Sequence, residues 1–246
     1  MKKEGFEEWF DSPYYHLLYN SRNDEEAKSS LDNLLVAMDL PAGARLLDLA
    51  CGKGRHSKYL AENGFCVTGL DISEKSIAFA RGFEGENLEF FQHDMRKPFA
   101  FNYFDGILNM FTSFGYFKSD REHLQALENM CKGLRNGGVF LLDYFNSHWV
   151  SGQLLKYETK TIDNVTFHLS KHIENRYVYK TVSFEYNGKN LSFTESVRLF
   201  ELADFDRLLA ACNLKIVKTY GDYDLSVFDH NHSRRLIIVA KKIISA

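Results

Sequence analysis

Residues 48–54 read Asp48-Leu49-Ala50-Cys51-Gly52-Lys53-Gly54. The apolar stretch 45–50 in front of them reads as a buried strand. Residues 55–63 behind them read as a helix closed by Gly64. Glycine at 52 and 54 permits positive φ and lets a ligand approach the backbone closely. A strand, a tight glycine turn and a helix place a nucleotide-like ligand at the carboxyl end of a parallel sheet. A glycine pair alone is weak evidence, because an ordinary strand–helix turn also uses glycine.

Working outward, the alternation continues. Residues 65–70 form a strand ending at Asp71, and Ser73 caps a helix over 74–81. Residues 88–92 form a strand ending near Asp94, and 103–109 another ending near Asn109. A helix over about 119–134 ends at Asn136-Gly137-Gly138, and 139–145 is a fifth strand. Upstream, residues 1–23 are aromatic-rich and irregular, with Pro13 breaking any long helix. Asp24 caps a helix carrying Leu31, Leu34, Leu35 and Met38, which ends at Pro41 and Gly43. Downstream, 153–200 shows period-two alternation with a hairpin signal at Asn187-Gly188, so three or four antiparallel strands are expected. A helix over 203–213 and strands over 214–220 and 235–241 complete the chain. The expected class is α/β. A doubly wound core covers 1–152 and 201–246, and 153–200 is a small antiparallel β insertion, serving as a lid or a dimer surface.

Three acids stand at three successive strand tips. Asp71 sits where a carboxylate accepts both hydroxyls of a ribose, and Asp94 where an adenine amine can be held. Asp48 precedes the glycines and can hold a ligand ammonium, a need absent in the pyrophosphate of NAD. Each acid alone reads as a solvated strand end; the convergence of three favours a site. The dinucleotide fingerprint G-x-G-x-x-G/A is imperfect, since Ser57 occupies its third glycine position. The P-loop pattern is absent.

With these residues in place, the chain resembles the class I S-adenosylmethionine-dependent methyltransferases. The resemblance rests on Asp48-Leu-Ala-Cys-Gly-Lys-Gly, Gly69-Leu-Asp71-Ile-Ser, Gln92-His-Asp94-Met-Arg, Phe104-Asp-Gly-Ile-Leu-Asn109-Met-Phe and Leu134-Arg-Asn-Gly-Gly-Val-Phe, in the family's order. It covers about 45–145 by motif and the last 45 residues by topology. It implies a Rossmann-like, seven-stranded sheet with an antiparallel last strand, and S-adenosyl-L-methionine as cofactor. Asp48, Ala50 and Gly52 would contact the methionine end, with Cys51 and Gly54 in the same turn. Asp71 would bind the ribose, and Ile72 would pack on the adenine. Asp94 and Met95 would flank that ring, and Asn109 would lie beside the sulfonium. The β-rich insertion and the segment from Asn109 to Phe117 resemble the small-molecule branch, which includes sugar-amine N,N-dimethyltransferases and glycine-type N-methyltransferases. No Asp/Asn-Pro-Pro-Tyr signature follows the fourth strand, which weighs against base methylation in DNA.

The acceptor side is less legible. Tyr14, Tyr15, His16 and Tyr19 are candidates to cover the cofactor, or to staple the segment to the core. Phe114, Tyr116, Asp143, Tyr144 and His148 follow strands four and five, at the edge where ligands bind. His148 is a candidate base, although a loop histidine is more often just solvated, and no catalytic residue is assigned. Asp229, His230 and His232 read as a polar loop and not as a metal site, for lack of ligand spacing. Arg234 and Arg235 are candidates to meet an acidic substrate.

Composition narrows the partners. The 246 residues carry a formal net charge of −3, with 45% hydrophobic and 26% charged residues. No basic stripe supports nucleic-acid binding, and no apolar run reaches a membrane span. Cys51, Cys66, Cys131 and Cys212 form no CxxC pair, so free thiols in a reducing compartment are expected. The first residues lack the apolar core of a signal peptide. A cytoplasmic enzyme methylating a small-molecule amine or hydroxyl, and capable of homodimerising, is the expectation. Its rivals are an NAD(P)-linked oxidoreductase and a non-catalytic nucleotide-binding protein of the same fold.

Overall fold

The computed structural model describes residues 5–19 and 24–243; the side chain of Asp24, read above as a cap, lies outside the described ones. Strands β1 (Arg45–Leu49), β2 (Cys66–Asp71), β3 (Leu88–Gln92), β4 (Phe104–Asn109) and β5 (Leu134–Phe145) run parallel. Strands β10 (Leu214–Tyr220) and β11 (Arg235–Lys242) extend the sheet, and β11 runs antiparallel to both of its neighbours. The order β10-β11-β5-β4-β1-β2-β3 makes a seven-stranded, Rossmann-like sheet. The strand order reverses at β1 and β4: β2 and β3 are added on one side and β4 and β5 on the other. That is the switch point where open α/β sheets bind ligands, beyond the strands' carboxyl ends.

Helices cover both faces because β1, β4 and β5 are apolar on both sides. On one face Leu47, Leu49 and Ile107 pack with α6 (Asp120–Gly133) and α8 (Leu202–Ala211). On the other, Leu46, Val67 and Leu108 pack with α3 (Asp24–Met38), α4 (Arg55–Glu62) and α5 (Glu74–Ala80). Ser73 caps α5 as expected, its hydroxyl accepting from the Ser76 amide.

Three local readings are corrected. The N-terminal segment is helical: α1 (Gly5–Phe10) and α2 (Pro13–Leu18) flank a tight turn. Pro13 starts α2 because the first helical position needs no amide hydrogen, and the Ser12 hydroxyl accepts from the Tyr15 amide at 3.1 Å. Helix α6 ends at Gly133, before the glycine pair. Leu134 already pairs with Phe104, and residues 135–138 bulge out before pairing resumes at Val139. A short helix α7 (Ser147–Gly152), capped by Asn146, follows β5.

The insertion forms a separate antiparallel sheet of four strands, β6 (Tyr157–Ile162), β7 (Val165–Glu174), β8 (Tyr177–Tyr186) and β9 (Lys189–Arg198). Asn187 and Gly188 both take positive φ, 51° and 71°, as a type I′ hairpin turn requires. The inner face of this sheet, with Val165, Phe167, Val182 and Phe184, packs on Trp9 and Leu18 from α1 and α2. The small sheet therefore supports the N-terminal helices.

Candidate active site

The turn after β1 is pinned to the tip of β2. The Gly52 amide donates to Asp71 Oδ2 at 2.8 Å, the Ser73 amide donates to Asp71 Oδ1 at 2.8 Å, and the Cys51 amide donates to the Leu70 carbonyl. Ala50 and Gly52 take positive φ, 60° and 56°, so the backbone doubles back and turns its amides toward the strand tips. Burial raises the Asp71 carboxyl above its usual range, and the two amides oppose that rise. Each Asp71 oxygen carries one backbone donor and keeps a lone pair for a ligand hydroxyl.

Asp48 is buried beneath this turn. Its Oδ2 accepts from Ser57 Oγ at 2.6 Å. Burial pushes its carboxyl up to about 6, with the Ser57 bond pulling down and the charge of Asp71 pushing up. A buried carboxylate without a cation is costly, so this position favours a positively charged ligand group. Burial likewise raises the Cys51 thiol well above its usual value and keeps it protonated.

These residues open onto a crevice of about 480 Å³, within the range of small-molecule sites. Of the expected cofactor residues, Asp48, Ala50, Cys51, Gly52, Asp71, Ile72, Asp94 and Met95 line it. Gly54 does not. It begins α4 with φ 79°, close against the Phe90 ring. Asn109 lies just beneath. Its Nδ2 donates to the Leu49 carbonyl at 3.2 Å, and its buried Oδ1 has no partner among the described residues. Asp94 is clamped by its neighbour, with Arg96 Nε at 3.0 Å and Nη2 at 2.8 Å. Burial works against its charge, but Arg96 more than offsets this and holds the carboxyl below the usual range.

Part of the crevice wall is aromatic. Tyr15 and Tyr116 line it, joined by Phe6, Phe10, Tyr19 and Phe117. His16 lines it as well, and burial followed by the nearby Lys53 charge lowers its pKa, so it is neutral near pH 7. The remaining acceptor candidates sit elsewhere. Tyr14 packs 4.7 Å from Phe184 on the small sheet. Phe114 and Tyr144 are core residues, and the Tyr144 hydroxyl donates to the Arg198 carbonyl. His148 lies on α7, its ring 4.4 Å from that of His230.

Other charged candidates are also placed. Asp143 is fully buried, and Arg235 Nε donates to its Oδ1 at 2.7 Å, so this arginine faces an internal carboxylate and not an acidic substrate. Arg234 lies over the Trp149 ring. In the exposed loop, Asp229 accepts from His232 Nδ1 at 3.0 Å. Sequence reasoning missed Phe6, Phe10 and His56, and also Phe111 and Thr112 on the loop after β4. No local pattern marks them, because each reaches the crevice through packing.

Comparison with known proteins adds a second kind of support. A family model described as a methyltransferase domain matches residues 46–138. A putative methyltransferase of Bacillus subtilis, YqeM, is 26% identical over 95% of this chain and 96% of its own length. A dTDP-3-amino-3,4,6-trideoxy-alpha-D-glucopyranose N,N-dimethyltransferase of Streptomyces venezuelae is 27% identical, covering 82% of this chain and 89% of the relative. An uncharacterized methyltransferase of Schizosaccharomyces pombe is 33% identical over 39% of this chain and 68% of its own length. In fold, the chain matches an S-adenosylmethionine-dependent methyltransferase from Clostridium acetobutylicum with a TM-score of 0.78 at 18% identity, covering 94% of this chain and 96% of that one. None of these matches supports an oxidoreductase or a non-catalytic binding protein.

Proposed function

This chain belongs to the S-adenosylmethionine-dependent methyltransferases, and from that premise we propose that it methylates an amine of a small molecule in the crevice at the switch point. The observation that carries the reading is that two unlike sets of residues line one crevice. Buried carboxylates lie at the tips of β1 and β2, and aromatic rings including Tyr15 and Tyr116 line the same space.

The residues present fit the cofactor. Asp48 suits its ammonium, Asp71 its ribose hydroxyls, and Ile72 and Met95 its adenine. The unpartnered Asn109 Oδ1 offers a further acceptor nearby. Bound there, the cofactor supplies a methyl group activated by a positive sulfonium. The transfer is an in-line displacement, so the protein's work is to align donor and acceptor and to exclude water. The aromatic wall does the second task. An amine that arrives deprotonated needs no base; His16, His56 and His93 place imidazoles on the crevice wall should a proton have to be taken up.

Support for an amine comes from the Streptomyces venezuelae relative, named for N,N-dimethylation of an amino sugar. A hydroxyl acceptor is the second choice. We place the enzyme in the cytoplasm; no helix among the described residues is long and apolar enough to cross a membrane. Homodimerisation is checked by light scattering.

Calorimetry with S-adenosylhomocysteine and with NADH tests the core of the proposal. Micromolar binding of the former alone is expected, and tighter binding of NADH overturns it. Asp71→Ala is expected to weaken S-adenosylhomocysteine at least roughly tenfold, the cost of hydrogen bonds to a charged group. A panel of amines and hydroxy compounds, assayed for methylated product, identifies the acceptor class.

A further inference from the structure

Two consecutive residues of the crevice wall, Phe111 and Thr112, take left-handed backbone conformations with φ 56° and 59°. Neither is glycine, and side-chain-bearing residues adopt this region only when the surroundings enforce it. The enforcing groups come from distant parts of the chain. The Phe111 amide donates to Asp143 Oδ2 at 2.7 Å, and the Thr112 amide to the Asp143 carbonyl at 3.0 Å. Thr112 Oγ1 accepts from the Phe145 amide at 3.0 Å and from Arg235 Nη2 at 3.2 Å. Asp143 is itself held by the Tyr223 hydroxyl at 2.7 Å and by Arg235 Nε at 2.7 Å.

Ring packing repeats the same connection. Phe111 lies between His56, at 5.0 Å and nearly parallel, and Tyr223, at 5.9 Å. The Tyr223 carbonyl accepts from Asn33 Nδ2, which ties the loop after β10 to α3. Phe111 and Thr112 line the crevice, whereas Asp143, Tyr223 and Arg235 stand behind it. A buried ion pair of this kind is poor evidence for stability, since apolar packing serves that purpose as well. Its hydrogen bonds converge on the one strained stretch of the wall after β4.

We propose that Asp143, Arg235 and Tyr223 are positioning residues that hold the Phe111–Thr112 wall in its left-handed form and so shape the cofactor pocket. The proposal rests on the methyltransferase reading of this crevice. Tyr223 and Arg235 act from the last quarter of the chain on a wall built by the loop after β4.

The test uses the full-length protein with S-adenosylhomocysteine as probe. Tyr223→Phe removes one bond to Asp143 and keeps the ring against Phe111. It is expected to weaken binding about tenfold; because the lost bond to a buried charge also costs stability, a fall in melting temperature of a few degrees accompanies it, and affinity is read where the variant is fully folded. Arg235→Lys is expected to weaken binding less than Arg235→Met. Amide exchange at Phe111 and Thr112 is expected to accelerate while Leu47–Leu49 on β1 stay protected. Thr112→Asn, a residue that tolerates positive φ, is expected to restore part of the affinity lost in Tyr223→Phe. Affinity within about twofold of wild type in both Tyr223→Phe and Arg235→Lys overturns the proposal, because the wall would then keep its binding shape without these bonds. So does exchange that accelerates across the whole sheet in step. A wild-type protein that fails to bind the probe overturns the cofactor reading instead, and local exchange at Phe111 and Thr112 then decides whether the three residues hold the wall.

Discussion

The Ser57 hydroxyl donates to Asp48 Oδ2 at 2.6 Å, with both side chains buried, and this bond joins the first turn of α4 to β1 beneath the crevice. Ser57 stands where the dinucleotide fingerprint carries a glycine or alanine. Its side chain is small enough for the close helix–strand contact that this position demands, and it adds a donor for the carboxylate. The departure from the fingerprint therefore supports Asp48 from beneath the crevice. Ser57→Ala leaves the carboxyl without its donor. Expected results are a loss of about 1–2 kcal/mol of stability, a carboxyl raised above its present value of about 6, and several-fold weaker S-adenosylhomocysteine binding at pH 7. Urea denaturation and calorimetry check both halves.

Asp48 also sets a pH dependence whose sign follows from linkage. An aspartate in the unfolded chain titrates near 3.8, and Asp48 in the folded protein near 6. Between those values the folded state holds more protons, so stability falls as pH rises through the window and is level above it. The gap amounts to ~3 kcal/mol, and Asp71, raised in the same direction, adds to it. Asp94, held low by Arg96, has the opposite sign, but its loss falls below the usual carboxylate range and leaves this window clear. Ligand affinity has the reverse slope: an ammonium needs the ionised carboxylate, so binding tightens up to about pH 6 and then levels. Asp48→Asn is expected to flatten the pH 5–7 part of both curves, read by denaturation and calorimetry across that range.

A methyl group at Gly54 would lie 2.6 Å from Phe90 Cζ, on a residue with φ 79°. Gly54→Ala combines left-handed strain with overpacking against a core ring, for a cost of about 3 kcal/mol and a fall in Tm of roughly 10 °C. Gly64 is the control, since it has φ 85° with nothing within 4 Å. Gly64→Ala isolates the backbone share, and a Tm fall as large as that of Gly54→Ala would remove the role given to Phe90.

Lys180 on β8 and Glu195 on β9 face each other across the strands and form an ion pair on the inner face, next to Lys171 of β7. Lys180 also donates to the Tyr19 hydroxyl, at the edge of the crevice. Lys180→Met leaves Glu195 buried and unpaired, at an expected cost of 3–5 kcal/mol, roughly the range for breaking buried pairs. Lys180→Met with Glu195→Leu is expected to recover most of that loss. Denaturation of both single variants and the double variant closes the cycle, and simple additivity would show that the pair does not couple.

Much of the core was legible because its signals are local. Each parallel strand between 45 and 109 is a short apolar run ending at a polar tip, and Ser73 announces its helix by its own capping bond. In the turn from Asp48 to Gly54 the positive φ of Gly52 and Gly54 is a local demand for glycine, whereas the Phe90 ring against Gly54 is a long-range one that the turn does not announce. The errors arose where local signals compete with long-range pairing. Gly137 and Gly138 look like a helix end, yet Leu134 is already captured by Phe104. Pro13 looks like a breaker, yet with Ser12 in front of it Pro13 begins a helix that Trp9 and Leu18 bind to the small sheet.

The sequence by itself determined the α/β class, the antiparallel insertion and the glycine turn flanked by strand-tip acids, because propensity, turn chemistry and periodicity are properties of neighbouring residues. Only the tertiary structure decided which side chains line the crevice. It buried Phe114 and Tyr144, brought Tyr15 beside Tyr116, clamped Asp94 with Arg96, and carried Arg235 from the last strand to Asp143 behind the crevice wall. Those outcomes depend on packing and on the pairing of buried charges between residues far apart in the chain, which no local pattern encodes.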